Sequence, residues 1–284
     1  MSAVAASART GVPVRDALDS AAVAIAASGS DSARLDAELL LAHALGLTRT
    51  DLHLDPAREV TGPAIRVFQD LVRRRSAGRE PVAYLLGTKG FRHIDLRVDS
   101  RVLVPRPETE LLVEIGLGLP HGARVLDVGT GSGAVALALK HERPDLAVTG
   151  SDVSAEALDV AQANRAALGL AAEFVYADLL AGLGAGWDAI LSNPPYVAER
   201  DRASLPPDVL RHEPAQALFA GDEGLDVIER LVTQAAATQA TLLAVEVGAG
   251  QAVKVGELAR AAGWASVTAR RDLAGIERVV EARR

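Results

Sequence analysis

The chain of 284 residues is long enough for one large α/β domain and a smaller second domain, and 49% of its residues are hydrophobic. It contains no cysteine, which excludes disulfides and thiolate metal sites, and its formal net charge of -7 provides no overall positive field that would draw it to nucleic acid. No run approaches the ~20 apolar residues of a membrane span, so we expect a cytoplasmic protein without a membrane partner.

The first part of the chain carries apolar residues at helical spacing. Three amphipathic helices and one short helical segment are predicted, over 14–27, 32–46, 61–72 and 50–54. In the second helix, four residues are expected to share the buried face: Leu35, Leu39, Ala42 and Leu45. Residues 1–86 are therefore predicted to form a small N-terminal helical bundle, in which nothing resembles a catalytic residue.

This bundle is electrically balanced. Residues 1–85 carry 10 basic and 10 acidic side chains, whereas the remainder carries 20 basic and 27 acidic ones. The basic residues include the run Arg73-Arg74-Arg75, followed by Arg79. Such a run could bind phosphate or an acidic partner, but it is more often a solvated helix end, which is the interpretation we favour.

Residues 87–104 are predicted to form a β-hairpin that links the bundle to the rest of the chain. Apolar and charged residues alternate over 94–98, as in a half-buried strand. Asp99-Ser100 can then turn the chain into a second strand over 101–104. Beyond it, the proline-rich segment Pro105 to Glu110 leads into the next helix.

From residue 105 onward, strands and helices alternate. The predicted strands cover 124–128, 147–150, 173–176, 187–191 and 241–247, followed by a terminal hairpin over 266–269 and 278–281. This order predicts that residues 105–284 form an α/β domain with a doubly wound sheet, mostly parallel and closed by one antiparallel strand.

The first of these strands runs directly into a glycine-rich loop, Asp127-Val128-Gly129-Thr130-Gly131-Ser132-Gly133. Glycines there let the backbone approach a ligand closely at the carboxyl edge of the sheet. The second strand leads to Asp152, 19 residues after Gly133, where a carboxylate can accept hydrogen bonds from both hydroxyls of a ribose. Asp178-Leu179, after the third strand, offers an adenine ring one polar and one apolar neighbour.

The fourth strand ends at Asn193-Pro194-Pro195-Tyr196. Two prolines fix φ and have no N–H, so the strand cannot continue and the carbonyls of Asn193 and Pro194 lack a partner in the sheet. Together with the side-chain oxygen of Asn193, they form a group of acceptors suited to a planar NH₂ group presented under an aromatic ring. A simple turn after a strand is the alternative interpretation.

A glycine-rich loop with a ribose acid also occurs in nicotinamide dehydrogenases. The Gly-x-Gly-x-Gly spacing, the preceding Asp127 and the Asn-Pro-Pro-Tyr segment favour S-adenosylmethionine instead, with Asp127 near its cationic amino-acid group. The predicted cofactor-binding residues are Asp127, Gly129, Thr130, Gly131, Ser132, Gly133, Asp152, Asp178, Leu179 and Asn193. The predicted catalytic residues are Asn193, Pro194, Pro195 and Tyr196. None of the six histidines lies at metal-ligand spacing, so no metal is expected.

Asn-Pro-Pro-Tyr is the motif of methyltransferases that act on planar NH₂ groups. Together with three further motifs, it makes the chain resemble the bacterial release-factor glutamine methyltransferases (HemK/PrmC family), and this resemblance covers the chain from Arg15 onward. These motifs are Pro105-Arg106-Pro107-Glu108-Thr109-Glu110, the linker Arg75…Gly78…Pro81…Tyr84…Gly87, and Arg211-His212-Glu213-Pro214. Two positions depart from the family pattern: Leu179 replaces the aromatic residue of some relatives, and His212 stands where Phe is common. The family pattern therefore does not predict which side chains pack on the adenine ring.

The resemblance implies a class I methyltransferase-like fold and methyl transfer from S-adenosylmethionine to the side-chain amide nitrogen (N5) of the glutamine in the Gly-Gly-Gln motif of peptide chain release factors. It implies that Asn193 and the carbonyl of Pro194 accept the two amide hydrogens and that Tyr196 stacks on the amide plane. Residues 1–86 are electrically neutral in sum and have no aromatics beyond Phe68 and Tyr84, so we expect them to dock the release factor rather than nucleic acid. The release factor is then the protein partner, nucleic acid is not a direct substrate, and association with the ribosome stays open.

Two alternatives remain at this point. An adenine-amine methyltransferase acting on RNA or DNA shares the catalytic motif, but it normally needs a basic groove, which the net charge of -7 disfavours. A non-catalytic ligand-binding or adaptor protein with a decayed site is disfavoured by the intact loop, acids and Asn193. The oligomeric state and the preference among release factors cannot be inferred from the sequence.

Overall fold

The computed structural model describes residues 11–284, which fall into two compact units, one ending at Gly87 and the other covering Thr88–Arg284. The first ten residues of the predicted bundle lie outside the described residues. Each unit has its own hydrophobic core. In the part of the chain that is described, no helix is long and apolar enough to cross a membrane.

The first unit consists mainly of helices. Those described are α1 (Val14–Ala26), α2 (Ala33–Leu45), α3 (Arg49–Leu54), α4 (Gly62–Ser76) and α5 (Val82–Leu86). Two short strands, β1 (Val12–Pro13) and β2 (Glu59–Val60), pair antiparallel. The three predicted long helices and the short one are confirmed, whereas α5 and the strand pair were not predicted because each is too short to show a periodic pattern.

The predicted buried face of α2 is only partly correct: Ala42 is buried and Leu45 packs against the core, but Leu35 does not lie on the buried side. Leu35 is 41% exposed, whereas Leu40 and Leu41 are fully buried. The acids Asp36 and Glu38 lie on the buried side, each 4% exposed, because arginines from other segments neutralise them there. Because acidic residues lie on the buried face of α2, polar residues do not identify its exposed face. A prediction based on the positions of polar and apolar residues therefore misplaces part of the buried face.

The arginine run at the end of α4 also differs from expectation. The side chain of Arg75 is buried, and its Nε lies 2.8 Å from the carboxylate of Asp36. Arg74 is paired with Glu80 at 2.6 Å. The prediction of a solvated helix end is therefore correct for Arg73, whose side chain is exposed. It is wrong for Arg75, whose side chain lies in the interior of the bundle.

The second unit begins with a hairpin of β3 (Thr88–Phe91) and β4 (Ile94–Arg97), joined by the two-residue turn Arg92-His93. Arg92 has a φ of 49°, as a tight turn between strands requires. The predicted hairpin therefore exists, but its partner strand precedes β4 rather than following it. The predicted turn at Asp99 is present, since its carboxylate accepts the backbone N–H of Arg101 at 3.0 Å, but the strand expected over 101–104 does not form, and β4 pairs with β3 instead.

The main sheet of the second unit has seven strands in the order β10-β11-β9-β8-β5-β6-β7. They are β5 (Arg124–Val128), β6 (Ala147–Asp152), β7 (Glu173–Tyr176), β8 (Ala189–Ser192), β9 (Leu242–Glu246), β10 (Ser266–Arg271) and β11 (Glu277–Arg283). Strand β11 is antiparallel to both neighbours, and the other pairings are parallel, which confirms the predicted sheet.

Helices accompany these strands: α6 (Glu110–Leu117), α7 (Ala134–Glu142), α8 (Ala155–Leu168), α9 (Pro207–His212), α10 (Asp226–Ala236) and α11 (Ala252–Ala261). Strand β5 pairs with β6 on one side and with β8 on the other, so the strand order reverses at β5. At such a reversal the loops after neighbouring strands diverge and leave a crevice at their carboxyl ends, which is where open α/β sheets bind ligands.

Candidate active site

A cavity of about 420 Å³ opens at the carboxyl ends of β5, β6 and β8. Most of the predicted site residues line it: Asp127, Gly129, Thr130, Gly131, Ser132, Asp152, Asp178, Leu179, Asn193, Pro194 and Pro195. Two predicted residues, Gly133 and Tyr196, are not on its wall. The wall also contains residues that the sequence did not single out for the site, among them Arg101, Thr109, Gln216, Val227 and Arg230.

The glycine-rich loop after β5 is held by the neighbouring strand. The backbone N–H groups of Gly129 and Thr130 both donate to the carbonyl of Ser151, at 2.8 and 2.9 Å. Gly131 has a φ of 56° and open space where a side chain would begin, so glycine is needed there for the backbone conformation. Gly133 also has a positive φ, 82°, and a Cβ there would in addition lie 2.9 Å from Leu137.

Asp127 is buried at the base of the loop. Its Oδ2 accepts hydrogen bonds from the Thr130 hydroxyl at 2.6 Å and from the N–H of Ala136 at 3.1 Å. Burial raises the pKa of this carboxyl to about 6, although both hydrogen bonds oppose the shift. A buried carboxylate without a neighbouring cation is suited to binding a positively charged group of a ligand.

Asp152 ends β6 beside the loop. One of its oxygens accepts the N–H of Gly131 and the other accepts the N–H of Ser154, both at 2.9 Å. Burial raises the pKa of Asp152, and these backbone hydrogen bonds partly oppose that shift. The two bonds fix the orientation of the carboxylate at the cavity wall, and each oxygen retains a lone pair for a further donor.

Asp178 and Leu179 border the cavity after β7. Leu179 has a φ of 55°, an uncommon conformation for a branched side chain. The half-exposed Asp178 is paired with Arg230 of α10 at 2.6 Å. Because these two residues are 52 positions apart, no local sequence pattern could reveal that Arg230 belongs to this part of the wall.

Asn193 follows β8 at the edge of the cavity. Its Nδ2 donates to the hydroxyl of Thr109 at 3.1 Å, which leaves Oδ1 as the free acceptor of the carboxamide. The preceding Ser192 donates its hydroxyl to the carbonyl of Val128 at 2.7 Å and so ties the end of β8 to β5. The side chain of Asn193 is therefore held by Thr109, and its backbone is held by the end of β8.

Tyr196 lies off the cavity wall. Its ring is half-buried against the core of the second unit, and its hydroxyl donates to Oε1 of Glu246 at 3.4 Å. Burial raises the pKa of Tyr196 well above its ordinary value. Its predicted stacking on an amide plane stays a prediction.

Two of the motifs quoted above meet in the structure. Arg106 forms an ion pair with the buried Glu213 at 2.6 Å, across 107 residues of sequence. Glu213 also accepts a backbone hydrogen bond from Val104, and burial raises the pKa of its carboxyl above the ordinary value. The pair joins the segment before α6 to the segment around Pro214, and both segments contribute to the cavity wall.

Comparison with known protein families gives two matches that cover most of the chain. The profile of the PrmC N-terminal domain matches residues 16–87. The profile of the methyltransferase small domain matches residues 106–252, which is the part that contains the glycine-rich loop and Asn193.

Two solved structures resemble the fold. The hMettl16 catalytic domain in complex with MAT2A 3'UTR hairpin 1 aligns with a TM-score of 0.55 and 17% identity, covering 80% of this chain and 83% of that chain. A methyltransferase from Pyrococcus furiosus aligns with a TM-score of 0.51 and 18% identity, covering 67% of this chain and 88% of that one. At these identities the likeness shows the fold alone.

Curated relatives match along almost the whole chain. The release factor glutamine methyltransferase of Deinococcus radiodurans is 43% identical over 276 residues, covering 95% of this chain and 98% of the relative. The release factor glutamine methyltransferase of Rhodospirillum rubrum is 41% identical, covering 94% of this chain and 84% of the relative. With both domain profiles matched as well, the chain belongs to the release factor glutamine methyltransferase family.

Proposed function

We propose that this protein transfers a methyl group from S-adenosylmethionine to the side-chain amide nitrogen (N5) of the glutamine in the Gly-Gly-Gln motif of peptide chain release factors. The observation that carries the proposal is family membership along almost the full length, at 43% identity to the relative from Deinococcus radiodurans. The cavity adds chemical support, since a rigid acceptor group at Asn193 stands next to a glycine-rich loop with the buried Asp127 and the partly buried Asp152.

The residues of the cavity fit S-adenosylmethionine. Asp127 would face its cationic amino-acid group, Asp152 its ribose hydroxyls, and Leu179 its adenine ring. The loop from Gly129 to Gly133 would let the backbone approach the ligand closely. When bound, S-adenosylmethionine supplies a methyl group carried on a positively charged sulfur.

The acceptors at the end of β8 address the main difficulty of the reaction. An amide nitrogen is a poor nucleophile because its lone pair is delocalised, so its NH₂ group must be held in line with the methyl group at roughly 3 to 3.5 Å. Oδ1 of Asn193 and the carbonyl of Pro194 would accept its two hydrogens and stabilise the positive charge that develops on nitrogen. Pro195 would keep this turn rigid, and Tyr196 would support it from the core side.

We also propose that the N-terminal bundle docks the release factor. A glutamine on an exposed loop offers few contacts, so further binding energy must come from a second surface. The bundle carries exposed apolar side chains, including Val23 at 71% and Leu54 at 77% exposure, and it has no excess of basic residues. A cytoplasmic location follows from this substrate, because release factors act on translating ribosomes.

The function is tested with purified release factor and labelled S-adenosylmethionine, followed by mass mapping of the product. We expect one methyl group on the glutamine of the Gly-Gly-Gln motif and none on a release factor in which that glutamine is replaced by asparagine. Transfer to adenine in RNA or DNA, with no transfer to the release factor, would establish the runner-up activity instead.

Docking is tested by replacing Val23 and Leu54 together with aspartate. The expected result is a higher KM for whole release factor and unchanged activity on a short Gly-Gly-Gln peptide. The matched control is Val253→Asp, because Val253 is also exposed, at 69%, but belongs to the second unit. Equal KM values for the double variant and the control would exclude these two side chains from the docking surface.

A further inference from the structure

The Asn-Pro-Pro-Tyr segment, residues 193–196, has no backbone donor at its centre. Pro194 and Pro195 have no N–H, and the proposed function needs the carbonyl of Pro194 free for the substrate. The backbone conformation of the segment therefore depends on bonds made at its two ends. At its entry, the hydroxyl of Ser192 donates to the carbonyl of Val128 at 2.7 Å.

The exit of the segment is held by Gln251, the residue directly before α11. Its Nε2 donates to the carbonyl of Tyr196 at 3.0 Å, and its Oε1 accepts the backbone N–H of Gly248 at 2.8 Å. This amide joins the chain after β8 to the chain after β9, across 55 residues of sequence. Gln251 is not on the cavity wall, so it supports the site from behind and does not form the surface that a ligand would contact.

The two neighbours of Gln251 require an amide in one orientation. The backbone N–H of Gly248 can only donate, so it must meet the oxygen of the side chain. The carbonyl of Tyr196 can only accept, so it must meet the NH₂ group. A carboxylate of the same shape would still accept from Gly248, but it would place one acceptor against another at Tyr196.

Glycines on both sides of these bonds bring the backbone close to them. Gly224 has a φ of 74°, and a Cβ there would overlap the carbonyl oxygen of Tyr196. A Cβ at Gly248 would lie 2.9 Å from Oε1 of Gln251. The carbonyl of Tyr196 is therefore enclosed between the backbone of Gly224 and the amide of Gln251, and a change at either one displaces it.

We propose that Gln251 is a positioning residue, which fixes the Asn-Pro-Pro-Tyr segment so that Oδ1 of Asn193 and the carbonyl of Pro194 point to the substrate amide. The inference rests on the proposed function for the identity of that substrate. In-line transfer tolerates little error in the position of the groups that hold the nucleophile. Because two prolines stiffen the segment, a displacement of the Tyr196 carbonyl is transmitted to Pro194 and Asn193.

The first experiment is kinetic and compares Gln251→Glu with the native protein at pH 8, with whole release factor as substrate. The carboxylate keeps the volume and the bond to Gly248 but repels the carbonyl of Tyr196. We expect kcat to fall by roughly tenfold or more, while KM for the release factor and Kd for S-adenosylmethionine stay within about twofold. The matched control is Gln239→Glu, which makes the same chemical change at an exposed position between α10 and β9 and should leave kcat unchanged.

The fold around the segment is expected to survive this substitution. Val197, directly after the segment, forms backbone hydrogen bonds with Leu218 and Ala220 at 2.8 and 3.0 Å, and neither bond involves Gln251. Urea unfolding followed by tryptophan fluorescence, which reports the second unit, should therefore give the native midpoint. A lower midpoint together with weaker S-adenosylmethionine binding would show general destabilisation and would contradict a positioning role.

The second experiment observes Asn193 directly by NMR and needs no turnover. The chain contains only two asparagines, Asn164 and Asn193, so selective ¹⁵N-asparagine labelling of the full chain gives two side-chain NH₂ groups. The Asn193 signal should shift in Gln251→Glu, because the segment that carries it is displaced. Asn164 is an internal control whose signal should stay, because its NH₂ donates to the carbonyls of Arg97 and Ser132 at 3.0 and 2.9 Å.

These readouts separate the inference from the function on which it rests. A native protein that fails to methylate release factor would contradict the proposed function, and the NMR comparison would still test whether Gln251 positions Asn193. The inference is overturned if Gln251→Glu turns over at the native rate, if it leaves the Asn193 signal in place, or if kcat and S-adenosylmethionine affinity fall together.

Discussion

In the described part of the bundle both buried acids are paired with arginines, whereas the buried acids of the second unit fall into two groups. In the bundle, Asp36 is paired with Arg75, and Glu38 accepts hydrogen bonds from Arg49 and Arg34. Burial favours the neutral form of Glu38, but the two arginines outweigh it and lower the pKa of this carboxyl.

In the second unit, Glu213 and Glu281 are likewise paired with arginines. Asp127 and Glu246, in contrast, have hydroxyl or backbone N–H neighbours and no salt bridge among the described residues. Burial raises their pKa values to about 6 and about 7. A buried acid that is paired with an arginine of the same unit has a structural role. A buried acid without such a partner can interact with a ligand or position another side chain. Buried acids without a cationic partner are therefore the better candidates for a functional role. Substitutions at four positions test this distinction.

The largest effect is expected where the bundle loses an internal cation. Arg75→Ala leaves Asp36 as an uncompensated buried charge and should destabilise the bundle by about 3 to 5 kcal/mol. Urea unfolding followed by circular dichroism measures this loss. Both tryptophans, Trp187 and Trp264, belong to the second unit, so their fluorescence reports that unit separately.

The matched control for this change replaces both partners by apolar residues. Asp36→Leu combined with Arg75→Met should recover most of the lost stability, since no unpaired charge remains. If Arg75→Ala costs less than about 1 kcal/mol, the pair is not a structural element and the comparison between the two units fails.

A smaller effect is expected on ligand binding at Asp152. Asp152→Ala should weaken S-adenosylmethionine binding by roughly 1 to 3 kcal/mol, because the ribose hydroxyls lose their acceptor. Isothermal titration calorimetry measures the change, and Asp152→Asn controls for the loss of the bonds to Gly131 and Ser154. An unchanged affinity, or a preference for a nicotinamide dinucleotide, would contradict the assignment of this residue.

Asp127 should make donor binding depend on pH. Its pKa of about 6 means that the carboxylate is ionised above this value and is progressively neutralised below it. A neutral carboxyl cannot attract a cation, so affinity for S-adenosylmethionine should fall by up to about tenfold for each pH unit below 6. Calorimetry between pH 5 and pH 8, with Asp127→Asn as the variant that lacks this dependence, measures it. Parallel pH profiles for both proteins would argue against Asp127 as the binding group.

The smallest effect is expected at the exposed end of the arginine run. Arg73 lies 2.6 Å from Asp70, but its side chain is 72% exposed. Arg73→Ala should change the stability of the bundle by no more than ~1 kcal/mol, because solvent screens a surface ion pair. The same urea experiment tests it, and a loss as large as that of Arg75→Ala would mean that burial is not what distinguishes the two arginines.

Features that depend on local chemistry could be predicted from the residues alone. The strands at 124–128 and 173–176 were predicted with their observed bounds, because short apolar runs ended by turn residues specify them locally. The glycine-rich loop and the end of β8 were also predictable. Positive φ at Gly131 and the two prolines after Asn193 are properties of the residues themselves.

Contacts between side chains that are distant in the sequence could not be predicted, because they depend on the complete fold. Asn193 and Thr109 are 84 residues apart, Arg106 and Glu213 are 107 apart, and no periodic pattern encodes either contact. The buried face of α2 was predicted only in part for the same reason, since the burial of Asp36 depends on Arg75, which lies 39 residues later and neutralises it. Local propensity acts over one turn or one strand, whereas the stability of a buried polar group depends on partners that the fold brings together.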